Sequence, residues 1–583
     1  MGSFLDDPRE RWRDVTVETD VAVRMRDGIV LRADIYRPTT HCACPVLLMR
    51  TPYDKAQAQN ICFAHPTWYA RRGFIVVVQD CRGRYRSDGE WYPFRHEQQD
   101  SIDTIDWAAN IKGSTGQVVM YGFSYSGVVQ LLAAVEKPSP LAAIMPAFTS
   151  ADYSSDWFYR GGAFQLAFAM TWSAHLATDT ARRRGDYALE QKISASLRNA
   201  NVHYWQGPQR NPLVEDDELI PYYYDWLEHD SEDDRYWDEY SAKSRLEDIE
   251  IPSLYIAGWY DIFLEGTIDS FLRTSSLPDG NRRDENRLVI GPWHHMPWTQ
   301  RSGNCDFGDA AKNCADALQA RWLDGVLNRE EAIPSEPKVA FFVMGANEWQ
   351  FSESWPPSGV KGRKLYLHSL GRANSLSGNG SLSPAMPADE TEDTYTYDPR
   401  NPVMSLGGRS GCLEGLTPMG VADQAPQETK NGVLIYTSRP LEEDLTIVGN
   451  VQAHIFASST SSSTDFVARL TDVHPDGRSF NVVDGIIRVG KGQSTHDQLE
   501  CAEVGPDGIR ECLIRLGPTA FRFEKGHSIR LEITSSNFPA YDRNSNSGKP
   551  LKEVSQADMK TSRQTVFHSE RYPSCVSLPV LGA

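Results

Sequence analysis

A chain of 583 residues with a net charge of −19, 40% apolar residues, 15 tryptophans and 24 tyrosines is too long for one hydrophobic core and too aromatic for disorder. The acid excess, thickest over residues 214–238, and the lack of any Lys/Arg stripe exclude a nucleic-acid binder, which must displace counterions from phosphates. That acidity reads as solvated surface.

Residues 1–13 open with acidic residues and lack the apolar core of a secretory signal, and Asp6 breaks the myristoylation pattern. No apolar run approaches the ~18 residues of a membrane span. The expectation is a cytoplasmic protein without membrane association. Ten cysteines are too sparse for a disulfide scaffold. Cys42/Cys44, Cys305/Cys314 and Cys501/Cys512 lack the Cys-x-x-Cys spacing of zinc sites, so reduced thiols, no metal and no cofactor are expected.

Residues 21–25 and 30–36 flank Arg26-Asp27-Gly28 and predict a hairpin. Residues 45–50, 74–79 and 118–122 are short apolar runs suited to buried parallel strands, with an amphipathic helix over 100–109 between them. This alternation predicts an α/β sheet covered on both faces. From 150 to 248 the pattern turns helical, over 164–176, 187–197 and 219–226, and predicts an inserted cap. Strands resume at 253–257 and 287–290 around a helix at 266–273, and residues 315–327 read as a closing helix. Beyond 334, short strand-like runs at 339–344, 364–368, 432–437, 451–458, 465–472, 485–489 and 528–534 predict a β-sandwich or jelly roll. The implied partition is 1–149 and 249–333 for the core, 150–248 for the cap and 334–583 for the β domain.

The segment Gly122-Phe123-Ser124-Tyr125-Ser126-Gly127 lies between the run at 118–122 and an apolar helix from Val128 to Val135. A serine on a sharp strand-to-helix turn is a nucleophile elbow, where small residues two before and two after relieve crowding. Gly122 and Ser126 fill those places, so the spelling departs from Gly-x-Ser-x-Gly. Ser126 is a rival nucleophile, disfavoured because bulky Val128 stands two after it. A serine hydroxyl needs a base and an acid to orient that base. Asp261 follows the strand at 253–258, and His294 and His295 follow the strand at 287–290, in the order Ser, acid, His.

At these residues the chain resembles the bacterial cocaine esterase family, whose wider group includes X-Pro dipeptidyl-peptidases and α-amino acid ester hydrolases. The resemblance is carried by MRDGIVLRADIYR (25–37), RTPYDK (50–55), RGRYRSDG (82–89), GFSYSG (122–127), GWYD (258–261), GPWHH (291–295), YDPRNPV (397–403) and DVHPDGR (472–478). It implies an α/β-hydrolase core with an inserted helical cap and a C-terminal jelly roll. It also implies Ser124 as nucleophile, Asp261 as acid and His295 as base, with His294 the alternative. The oxyanion hole it implies is the Tyr125 N–H and the Tyr53 phenol.

The expected reaction is hydrolysis of a small-molecule ester or amide through an acyl-enzyme. Asp261 is followed by Ile262, Phe263 and Leu264 before Glu265, so the carboxylates that bind a substrate ammonium in the α-amino acid ester hydrolases look missing. Trp172, Phe164 and Phe168 are candidates to line a pocket for an uncharged acyl group. An X-Pro dipeptidyl-peptidase or other amidase is the alternative, and a carbohydrate-binding module on an inactive scaffold a distant one. The sequence leaves a homo-oligomer open.

Overall fold

The computed structural model describes residues 14–231, 234–276, 282–327, 337–409, 411, 413, 415–417, 419–490, 501–503 and 508–582. Its centre is a ten-stranded sheet. Strands β1 (Val15–Arg24) and β2 (Val30–Pro38) form the expected hairpin, followed by β3 (Cys44–Thr51), β4 (Ile75–Asp80), β5 (Ser114–Phe123) and β6 (Leu141–Ala147). The sheet continues through β7 (Leu254–Tyr260), β8 (Arg287–His294), β9 (Val339–Val343) and β10 (Glu348–Ser352), in the order β1-β2-β4-β3-β5-β6-β7-β8-β9-β10. From β4 to β9 every pairing is parallel.

Crossover helices cover this sheet, namely α1 (Pro66–Arg71), α2 (Glu97–Ala109) and α3 (Tyr125–Ala134) in the first half. With both faces covered, every residue of β3, β4 and β7 is buried. This is why those segments read as continuous apolar runs without alternation.

Between β6 and β7 the chain forms α4 (Leu166–Arg183), α5 (Tyr187–Arg198) and α6 (Pro221–Glu228). Ahead of them come one π-helical turn, Tyr153–Phe158, and a two-stranded ribbon, Tyr159–Arg160 with Ala163–Phe164. Helices α7 (Leu264–Ser275) and α8 (Ala315–Val326) then complete the core.

The strand at 339–343, read from the sequence as part of the β domain, instead pairs parallel with β8 as β9, and β10 pairs antiparallel with it. The run Phe341-Phe342-Val343 suits any buried strand. Only the pairing register assigns it to the α/β sheet. After it comes a largely antiparallel β domain with its own core, including Leu367, Ile455, Leu516, Leu531 and Val576. Its strands include Val360–His368, Leu445–Ser459, Ser463–Val473, Ser479–Gly490, Arg510–Phe523, Ser528–Thr534 and Cys575–Leu581.

The reading of all cysteines as reduced is also corrected. Cys501 and Cys512 face each other across paired strands, with Cα atoms 4.0 Å apart, and form a disulfide. A sequence separation of 11 hides this cross-strand register from the sequence. Among the described residues no helix is long and apolar enough to cross a membrane.

Candidate active site

Strand β5 ends at Phe123 and α3 starts at Tyr125, with Ser124 between them at φ 60°, ψ −126°. A side chain at positive φ is strained and persists only where its surroundings over-determine it. Here the Ser124 N–H donates to the Ala147 carbonyl at 2.9 Å, and the Thr149 hydroxyl donates to the Ser124 carbonyl at 2.8 Å. One residue earlier, the Gln59 amide brackets Phe123, donating to its carbonyl at 2.9 Å and accepting from its N–H at 3.0 Å. Gly122 has φ 135°, and a Cβ there would lie 2.6 Å from Ser126 Cβ. The two small positions read from the sequence are thus in mutual contact. Ser126 itself is buried inside α3.

Asp261 and His295 sit just past the ends of β7 and β8, fully buried, with Asp261 Oδ1 2.7 Å from His295 Nδ1. A Cβ on Gly258 would lie 2.3 Å from the Trp293 carbonyl oxygen, so glycine lets the ends of β7 and β8 approach. Trp298 donates its indole N–H to the His295 carbonyl at 2.8 Å and stacks on Phe148. The His295 ring packs against Phe123, Phe148 and Phe263, with centroids 5.6, 6.1 and 5.4 Å away. Phe123 adjoins Ser124, so the elbow and the imidazole share one aromatic contact. His294 turns elsewhere, its Nδ1 3.1 Å from the Ser302 hydroxyl. The geometry separates two histidines that pattern alone could not.

Tyr53 follows β3 and its phenol oxygen accepts a 2.9 Å hydrogen bond from the Trp172 indole N–H. Beside it stands His175, whose imidazole pKa desolvation lowers to about 4, so the ring is neutral at neutral pH. Trp172 stacks on Phe168 and Trp226, and Trp157 of the π-helical turn lies between Trp172 and Phe263. Turns of this kind recur at functional sites. Phe164 is placed differently from Trp172 and Phe168. It belongs to the two-stranded ribbon, touches Tyr159 and Tyr223, and bonds through its backbone to Asp542 of the β domain. A cleft of about 640 Å³, lined in part by Asp156, Arg160, Glu265 and Arg515, does not include Ser124 or His295.

A buried charge network stands behind the elbow. Arg50, with a side chain 0% exposed, reaches Glu97 at 2.6 Å, Gln79 at 2.8 Å and Ser101 at 2.8 Å. Glu97 accepts from the Tyr125 phenol at 3.0 Å, and that phenol accepts from the Phe94 N–H at 2.7 Å. Burial, then Glu97, pushes the Tyr125 phenol well above its ordinary range, so it stays protonated. As the first residue of α3, Tyr125 also presents a backbone N–H that the helix leaves unused. Asp80 accepts from the Lys55 and Arg86 N–H groups at 2.7 and 3.2 Å, tying the Tyr53 loop to the loop after β4.

Gln59, Trp157, Phe263, Arg50 and Glu97 were not read from the sequence as site residues. They make long-range contacts, and only Arg50, which opens RTPYDK, and Phe263, just past GWYD, lie in or beside a motif.

The X-Pro dipeptidyl-peptidase (S15) family matches residues 27–297, and the X-Pro dipeptidyl-peptidase C-terminal non-catalytic domain matches 331–577. The cocaine esterase of Rhodococcus sp. is 35% identical over 577 residues, covering 97% of this chain and 99% of that protein. Two solved structures share the fold end to end. An aminopeptidase from a Thaumarchaeota archaeon has a TM-score of 0.77 at 24% identity, covering 99% of this chain and 98% of its own. An α-amino acid ester hydrolase has a TM-score of 0.77 at 23% identity, with 98% of both chains covered. The chain therefore belongs to the cocaine esterase-like group of the X-Pro dipeptidyl-peptidase family, and it is a serine hydrolase of esters or amides with an α/β-hydrolase core and a C-terminal β domain.

Proposed function

We propose that Ser124 is the nucleophile, His295 its general base and Asp261 the acid that orients the imidazole, in an esterase for substrates with an uncharged, aromatic acyl group. The observation that carries the assignment is the pairing of a strained serine at the β5–α3 turn with a buried 2.7 Å Asp261–His295 contact two strands away. Helices α4 to α6 act as the cap over this site, and the C-terminal strands form a jelly roll beside it.

His295 takes the Ser124 proton as the hydroxyl attacks the carbonyl, and Asp261 stabilises the imidazolium that results. The oxyanion accepts from the Tyr125 N–H and the Tyr53 phenol, donors that favour the transition state over the flat carbonyl. Collapse passes the proton from His295 to the leaving alcohol. Water, activated by the same imidazole, then hydrolyses the acyl-enzyme.

Substrate preference follows from what surrounds His295. Phe263, Trp157, Trp172 and Phe168 make an aromatic wall. Glu265, the first carboxylate after Asp261, is held at 3.0 Å by both Arg160 and Arg409. It is thereby neutralised as an anchor for a substrate ammonium. A fluorophosphonate adduct located by mass spectrometry tests the nucleophile, and labelling on Ser126 would move it. Turnover of p-nitrophenyl benzoate against an α-amino acid p-nitroanilide tests the substrate class, with the benzoate expected to win.

Trp172 has a second role in this scheme. With its oxygen accepting from the indole N–H, Tyr53 acts toward the substrate as a donor. Trp172→Phe is expected to lower kcat/KM by about threefold to tenfold, the worth of one hydrogen bond. On a Tyr53→Phe background the same change should cost little more in kcat, because the coupled partner is already gone.

A further inference from the structure

We propose that Asp472, His474 and His527, at one end of the C-terminal β domain, form a binding site for a zinc-like transition-metal ion. The strand Ser463–Val473 pairs antiparallel with Ser528–Thr534, with Asp472 opposite Ile529 and Val473 opposite Ser528. Continuing that register one step sets His474 across from His527, and their rings lie 4.2 Å apart. Asp472 Oδ2 lies 3.2 Å from His474 Nε2 and 2.9 Å from His527 Nδ1. The three ligand atoms all fall within 4.8 Å of one another. Two imidazole nitrogens and one carboxylate oxygen suit zinc and its neighbours better than calcium or magnesium, which prefer all-oxygen shells. Bonds of about 2.0–2.2 Å place tetrahedral ligands about 3.3–3.6 Å apart, close to the 3.2 and 2.9 Å between the Asp472 carboxylate and the two rings.

The surroundings support the arrangement. A tight turn holds His474, whose N–H donates to the Arg478 carbonyl at 2.9 Å and whose carbonyl accepts from Gly477 N–H at 2.9 Å. Glu524 lies 3.9 Å from His527 Nε2, on the side of the ring away from Asp472. Without metal, a His527 Nδ1–H donates to Asp472. With metal, that proton moves to Nε2, which faces Glu524, so the carboxylate favours the ligating tautomer. His474 is 28% exposed and opens the cluster to solvent, while Asp472 and His527 are buried. That opening supplies a path for the ion and for a water as fourth ligand. The ion would clip the turn at 474–478 to the start of the strand at 528, acting on stability and not on the hydrolytic reaction.

The test uses the full chain stripped of metal with a chelator. Titration with Co²⁺ should give the visible absorption of a four-coordinate ion at one equivalent, bleached by Zn²⁺, and Zn²⁺ should raise Tm. His474→Ala, at a partly exposed position, should keep ester turnover, weaken Co²⁺ binding at least tenfold and abolish the Zn²⁺-dependent Tm shift. Asp472→Asn should do the same to metal binding. The chain has 14 histidines, so adventitious binding is the competing outcome. Absence of the four-coordinate spectrum, or an equal Zn²⁺ response in the wild type and both variants, overturns the site.

Discussion

Replacing Ser124 with alanine is expected to lower kcat for a p-nitrophenyl ester by about 10⁴-fold or more, because no other group at the elbow can form the acyl-enzyme. The substitution removes one oxygen, and the residue's backbone bonds to Ala147 and Thr149 remain, so the fold should be untouched. Ser126 cannot substitute, since it is buried within α3 against Gly122. Asp261→Asn is expected to fall almost as far, by about 10⁴-fold, through a different cause. An asparagine presenting its amide N–H to Nδ1 holds the imidazole with its proton on Nε2, where it cannot accept from a serine. The two variants separate in labelling. Alanine at 124 gives no fluorophosphonate adduct, whereas asparagine at 261 gives a slow one at Ser124. Stopped-flow turnover and mass spectrometry of the adduct read both. Near-wild-type turnover by Ser124→Ala would remove the proposed nucleophile.

The largest expected effect on stability comes from Arg50. Burial opposes its charge, yet the neighbouring carboxylates, Glu97 foremost, hold the guanidinium above its ordinary pKa. Arg50→Met keeps the volume and strands Glu97 in the interior, and removing one partner of a buried pair costs about 3–5 kcal/mol. The urea midpoint should drop accordingly. Arg50→Met/Glu97→Leu should recover part of the loss, because both charges are then gone. The double variant should still be impaired in kcat, since the Tyr125 phenol loses its acceptor and the N–H proposed for the oxyanion is less firmly held. If the single and double variants are equally unstable, the pair is not the source of the effect.

The residues proposed as nucleophile, acid and base were legible as candidates because they follow local rules. A glycine two before a serine at a strand-to-helix turn relieves a clash that any Cβ would meet, and Gly122 shows that clash at 2.6 Å. Asp261 and His295 come at strand ends, which apolar runs announce. The α/β core was legible for the same reason. A strand buried on both faces must be apolar throughout, as β3, β4 and β7 are.

What tertiary structure alone decided concerns partners distant in sequence. His295 and not His294 meets Asp261 because the end of β8 turns one ring toward β7 and the other toward Ser302. The strand at 339–343 joined the core sheet, and Cys501 met Cys512, through registers that no local pattern encodes. Phe164, one of three aromatics expected to line a pocket, was drawn into the ribbon against Asp542, while Phe168 and Trp172 stacked on each other. Periodicity and turn chemistry act over a few residues and so are written in the sequence. Contacts such as Arg50 with Glu97, or Trp172 with Tyr53, bring together side chains 47 and 119 residues apart, and only the packed chain sets them side by side.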